Sequence, residues 1–81
     1  MPRYFFNTAS ERLVLEDEEG TELSGTDALH DMVRATLSNM FDAECNREDA
    51  LQSFSIHALD EDGNEVMAAT LRLTIRTAPH R

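Results

Sequence analysis

The side chains best equipped for chemistry in this 81-residue chain are His57 with Asp60 three positions on, the acidic run Asp60-Glu61-Asp62-Gly63-Asn64-Glu65, and the lone thiol of Cys45. An imidazole beside a carboxylate is half of an acid-base pair, because imidazole titrates near neutral pH. No nucleophile or glycine-rich loop accompanies it, so His57 is expected to be a surface residue on the wet side of a strand. Closely spaced carboxylates suit a hard cation, yet the run from Asp60 has no bidentate acid at the far end of an EF-hand register and leads straight into a strand pattern. An acidic hairpin turn is expected there, and Asp17 to Glu19 is read the same way. Cys45 falls near the carboxyl end of a helix, whereas thiol pKa values drop at positive helix amino ends, so it is expected to be inert. His30, His57 and His80 are dispersed and do not make metal-ligand spacing with one cysteine. The chain is therefore expected not to be an enzyme and to hold no cofactor and no metal.

The elements that must position these residues are legible as periodicities. Tyr4, Phe5 and Phe6 centre a first strand over about residues 3–8, and Leu13 and Leu15 alternate with polar neighbours in a second over about 12–16. Asp17 to Gly20 is a turn by composition. Ser24 or Thr26 can cap a helix over about 26–45, Ser24 and Asp27 resembling a capping box. Along it Leu29, Met32, Val33, Thr36, Leu37, Met40 and Ala43 form one apolar stripe, and Asn46 is a plausible stop before the charged segment Arg47 to Asp49. Period-two alternation returns over about 53–59 and 66–76, joined by a turn at Gly63. The expected fold is α+β, ββαββ, a single domain over 1–81. It has an antiparallel four-stranded sheet with one amphipathic helix packed on one face.

Sixteen acidic and seven basic residues give a net charge of -9, which repels phosphate backbones and anionic membranes at long range. Non-specific binding of nucleic acid is thus disfavoured. No window approaches the roughly 18 apolar residues of a membrane span, and a single unpaired cysteine fits a reducing cytoplasm better than an oxidising compartment. All seven basic residues are arginine, the form best suited to bidentate pairing with carboxylates.

The opening Met1-Pro2-Arg3-Tyr4-Phe5-Phe6, then Asp17-Glu18-Glu19-Gly20 with Glu22-Leu23 before a helix, then Asp60-Glu61-Asp62-Gly63 after a strand, resembles a family of short alphaproteobacterial proteins of unknown function. The likeness covers nearly the whole chain and departs at Ser24-Gly25, where the family pattern has Pro-Asp. It implies this order of elements and a bacterial cytoplasmic setting, and it transfers no catalytic residue. A weaker similarity, at the level of fold order, is to the amino-terminal domains of HicB-type antitoxins.

One helix covers one face of a sheet, and period two divides the side chains. Tyr4, Phe6, Leu13, Leu15, Phe54, Ile56, Met67, Ala69, Leu71 and Leu73 are expected under the helix. Arg3, Phe5, Val14, His57, Arg72 and Arg76 are expected on the open face, together with Arg12 and several Ser and Thr residues. That face would be locally basic in an acidic protein, or its arginines would simply pair across strands with Glu16 and Glu65. Phe5 and Val14 exposed together invite burial, and a fourth strand reaching past its hairpin mate would leave backbone groups for another subunit. The function expected is a small protein-interaction module acting as a homodimer. The alternatives are an antitoxin-like acidic binder of a basic protein, and nucleic-acid binding on the open sheet face.

Overall fold

A computed structural model describes residues 1–44 and 51–79. Its elements in chain order are β1 (Arg3–Ser10), β2 (Val14–Leu15), β3 (Thr21–Glu22), α1 (Thr26–Glu44), β4 (Leu51–Leu59) and β5 (Glu65–Thr74). The sheet is antiparallel in the order β2-β1-β4-β5, and β3 also pairs with β1. Cys45, Asn46, Arg47 to Asp49 and His80 fall outside the described residues.

β4 is the axis of the fold. Gln52, Phe54, Ile56 and Ala58 alternate inward along it and are buried, while Ser53, Ser55 and His57 point away. Helix α1 lies across β4 and β5 and buries Leu29, Val33 and Leu37 against that row, with Tyr4, Phe6, Met67, Ala69 and Leu71 packed around it. Phe41 joins this core by meeting Phe54 edge to face, ring centroids 6.0 Å apart, an arrangement that suits the opposed charges of ring face and ring edge. Phe41 is missing from the expected stripe and Ala43, expected in it, is exposed. Phe41 follows Leu37 by four residues, on the same face as Leu29, Val33 and Leu37, and so reaches Phe54.

The helix starts at Thr26, as expected, and the carbonyl of the preceding Gly25 accepts from the Leu29 N–H at 3.0 Å. Gly25 therefore stands at the cap position instead of Ser24 or Thr26. The predicted strand over 12–16 is also corrected. Only Val14 and Leu15 pair with β1, opposite Ala9 and Thr8, and a second two-residue stretch, β3, pairs further along the same edge at Tyr4 and Arg3. Leu13 and Leu15, expected under the helix, are 47% and 52% exposed. Because α1 lies over β4 and β5, the outer edge of the sheet has no helix above it.

β5 does not overreach its mate. It pairs with β4 from Glu65 opposite Leu59 to Thr74 opposite Leu51, with one irregularity that leaves Val66 as the extra residue of a bulge. Arg76 lies beyond the end of the strand, so it is not part of the sheet face on which it was expected.

Candidate interaction surface

The two acidic turns are separate in sequence and neighbours in the fold. Arg3 joins them: its backbone N–H donates to Glu61 Oε1 at 3.0 Å, its Nη1 donates to the Glu19 carbonyl at 2.8 Å, and its Nη2 lies 3.4 Å from Glu22 Oε1. Glu18, Glu19, Glu22, Glu61 and Asp62 are exposed around it. This end of the molecule is densely anionic, and the cation bound up within it is Arg3.

Two further carboxylates of these turns, Asp60 and Asp17, are taken up by backbone donors. Asp60 Oδ1 accepts from the N–H groups of Asp62 and Asn64 at 3.0 and 2.9 Å, and Gly63 adopts φ +84° to close the turn. Asp17 fills the break between β2 and β3. Its Oδ2 accepts from the Phe6 N–H at 3.1 Å, its Oδ1 accepts from Glu19 and Gly20, and its own N–H donates to Asn7 Oδ1. Burial pushes the Asp17 carboxyl up, but the Gly20, Phe6 and Glu19 N–H donors and the Arg3 charge outweigh it and hold its pKa below the ordinary value. Both aspartates thus serve backbone donors. No group of three or more His, Cys, Asp or Glu among the described residues is placed to hold a metal ion.

The open face forms in the expected phase, with Ile56 buried and His57 exposed. Arg3, Phe5, His57 and Arg72 lie on it, and Val14 stands beside Ala9 at its outer edge, 72% exposed. They are dispersed and form no single patch. Phe5 is half-buried because the acidic loop leans over it; a Cβ on Gly20 would come within 3.0 Å of the Phe5 ring. The expected exposed pair of Phe5 and Val14 is therefore not formed. Between them the middle of the face is small and polar, with Ser55 opposite both Ala9 and Thr70, and Ser53 opposite Arg72. A stacking platform for bases needs adjacent exposed rings, which these residues do not provide.

His57 pairs with Glu65 and not with Asp60, whose carboxylate is turned into its loop. His57 Nδ1 lies 2.5 Å from Glu65 Oε1, both side chains about half exposed. The partner sits across the hairpin, a signal available only once the turn length is known. Arg12 lines a cleft at the opposite end with Glu44 and Gln52, where Ser10 Oγ donates to Glu44 Oε1 at 3.0 Å and ties the helix end to β1. Glu16 and Glu65, the expected partners of the arginines, are not their partners at Arg3 or Arg72; Arg3 meets Glu22, and Arg72 makes no ion pair among the described residues.

The sheet's two edges differ. Beyond β1 stand β2, β3 and the Asp17 carboxylate, whereas beyond β5 no strand follows among the described residues. Alongside β5 runs a groove lined by Arg34, Leu37, Ser38, Phe41 and Leu71.

A family model spans residues 3–72, covering β1 through most of β5. The chain belongs to the family described as Domain of unknown function (DUF6894). The match runs across both acidic turns, the helix and the hairpin, so the arrangement described above is that of a DUF6894 domain. No curated protein and no solved structure matches the chain. No helix among the described residues of this DUF6894 member is long and apolar enough to cross a membrane.

Proposed function

We propose that this protein is a non-enzymatic protein-interaction module that works as a homodimer. The observation that supports it best is the unequal treatment of the sheet: one edge is filled by β2, β3 and Asp17, while β5 has no further strand beside it among the described residues. Unpaired strand edges recruit further strands, and stable proteins otherwise blunt them. The acidic polar residues serve structure, as at Asp17 and Asp60, which fits a role without chemistry. A bacterial cytoplasm suits its single cysteine. Sedimentation equilibrium at high micromolar concentration tests this reading. A mass twice that of the monomer is expected, and a strict monomer overturns it.

A second reading, an antitoxin-like binder of a small basic protein, draws on the anionic end around Arg3, where Glu18, Glu19, Glu22, Glu61 and Asp62 are exposed together. Attraction of this kind sets association rate and salt dependence. It requires a small basic protein encoded beside this chain's gene, and a complex of the two purified proteins that weakens steeply between low and physiological salt. A complex insensitive to salt counts against it.

A further inference from the structure

β5 reads Glu-Val-Met-Ala-Ala-Thr-Leu-Arg-Leu-Thr and contains no Pro, Gly or Lys. Its charges, Glu65 and Arg72, bracket a neutral run from Val66 to Leu71. Such an edge carries few of the usual devices against strand addition: the bulge at its start and the two charges near its ends. Its helix-side row, Met67, Ala69, Leu71 and Leu73, is only half-buried, while the corresponding row of β4 is buried. Helix α1 is centred on β4 and leaves the outer half of β5 to the groove of Leu37, Phe41 and Leu71.

We infer that β5 pairs antiparallel with β5 of a second copy about a two-fold axis through Ala69, so that Arg72 of each copy meets Glu65 of the other. The inference rests on the homodimer reading and specifies its surface. In an antiparallel pair directly opposed residues share a face, so only registers that match helix-side with helix-side residues are allowed. Centred on Ala69, the pairing sets Met67 against Leu71 on the helix side, and Ala68 against Thr70 and Val66 against Arg72 on the open side. The bulge places Glu65 beside Val66. Glu65 meets His57 through Oε1, and Arg72 makes no ion pair among the described residues.

Charge selects this register over those centred on Thr70 and Leu71. An axis through Leu71 puts Arg72 opposite Thr70 and brings the two Arg72 residues to diagonal positions, about 7–8 Å apart at the backbone and within reach of each other's side chains. An axis through Thr70 sets Arg72 against Ala68 and leaves Glu65 beyond reach. With the axis at Ala69 the two arginines are six residues apart, about 20 Å along the ladder. Each chain carries net charge -9, so two copies repel at long range. This edge carries Arg34 and Arg72 beside the single acid of β5, Glu65, which softens that repulsion locally. Both helices then lie on one face of a continuous sheet.

The test is sedimentation equilibrium of the full chain as wild type, Arg72→Glu, Glu65→Arg and the R72E/E65R double variant, with circular dichroism to show that each is folded. Each reversal repeats at two symmetric sites, so each single variant is expected to weaken dimerisation about tenfold or more, and the double variant to recover to within about threefold of wild type. Ala69→Cys in a Cys45→Ser background provides a second readout. Directly opposed Cα atoms lie about 4.5–5.5 Å apart, within disulfide range, so mild oxidation is expected to cross-link A69C into dimers and to leave a Ser55→Cys control monomeric on denaturing gels. A wild-type dimer whose charge variants behave as wild type and whose A69C does not cross-link overturns this edge and register while leaving the homodimer reading intact. A wild-type monomer overturns both.

Discussion

The Asp17 carboxylate occupies the place of a missing strand residue opposite Phe6, its Oδ2 accepting the Phe6 N–H at 3.1 Å. β2 and β3 are two fragments of what would otherwise be one edge strand, and the loop between them would leave β1 with an unanswered donor. One side chain answers it while its other oxygen holds the loop closed through Glu19 and Gly20.

Replacing Asp17 with Asn removes one acceptor oxygen and sets an amide against backbone donors. The cost is expected at about 1–2 kcal/mol, comparable to losing a helix cap, and denaturant unfolding at neutral pH measures it. The folded-state pKa of Asp17 is depressed, so its contribution is fully present above the unfolded value and is lost as pH falls through the folded one. The difference between wild type and D17N is therefore expected to shrink below about pH 4. A difference constant down to pH 2 would contradict the assignment.

Gly20 and Gly63 share positive φ, +73° and +84°, but only Gly20 is crowded, a Cβ there falling 2.8 Å from Arg3 Cγ and 3.0 Å from the Tyr4 carbonyl. Ala at Gly63 meets nothing within 4 Å and is expected to cost about 1–2 kcal/mol, from backbone conformation alone. Ala at Gly20 adds displacement of β1, for a total of about 2–4 kcal/mol. Thermal unfolding of the two variants checks the order.

Phe54, 2% exposed and stacked edge-on against Phe41, anchors the core. Phe54→Ala is expected to cost about 3–5 kcal/mol, which threatens folding in a domain this small. Leu15→Ala is expected to stay within about 0.5 kcal/mol, since that side chain is half in water already. Equal losses in urea unfolding would place Leu15 under the helix after all.

The exposed pair of His57 and Glu65 is expected to contribute little by itself. A double-mutant cycle with His57→Ala and Glu65→Gln at low protein concentration is expected to give a coupling below about 1 kcal/mol. A larger value would mean that the contact is shielded from solvent.

Local pattern determined much of this protein. The alternation through Phe54, Ile56 and Ala58 decides which side of β4 is buried, and the spacing of Leu29, Val33 and Leu37 decides which side of α1 meets it, because period two and period 3.6 are properties of the backbone itself. Acid-rich turns at Asp17 and Asp60 follow from the short-range preference of Asp side chains for N–H groups a few residues on. Only the tertiary structure decided the rest. Where the helix lies across the sheet left Leu13 and Leu15 uncovered and brought Phe41 in. The length of the β4–β5 turn put Glu65 beside His57, and the strand order drew both acidic turns onto Arg3. It sealed one edge and left β5 without a further strand among the described residues, for the sheet's order depends on contacts between segments far apart in the chain, which local periodicity does not encode.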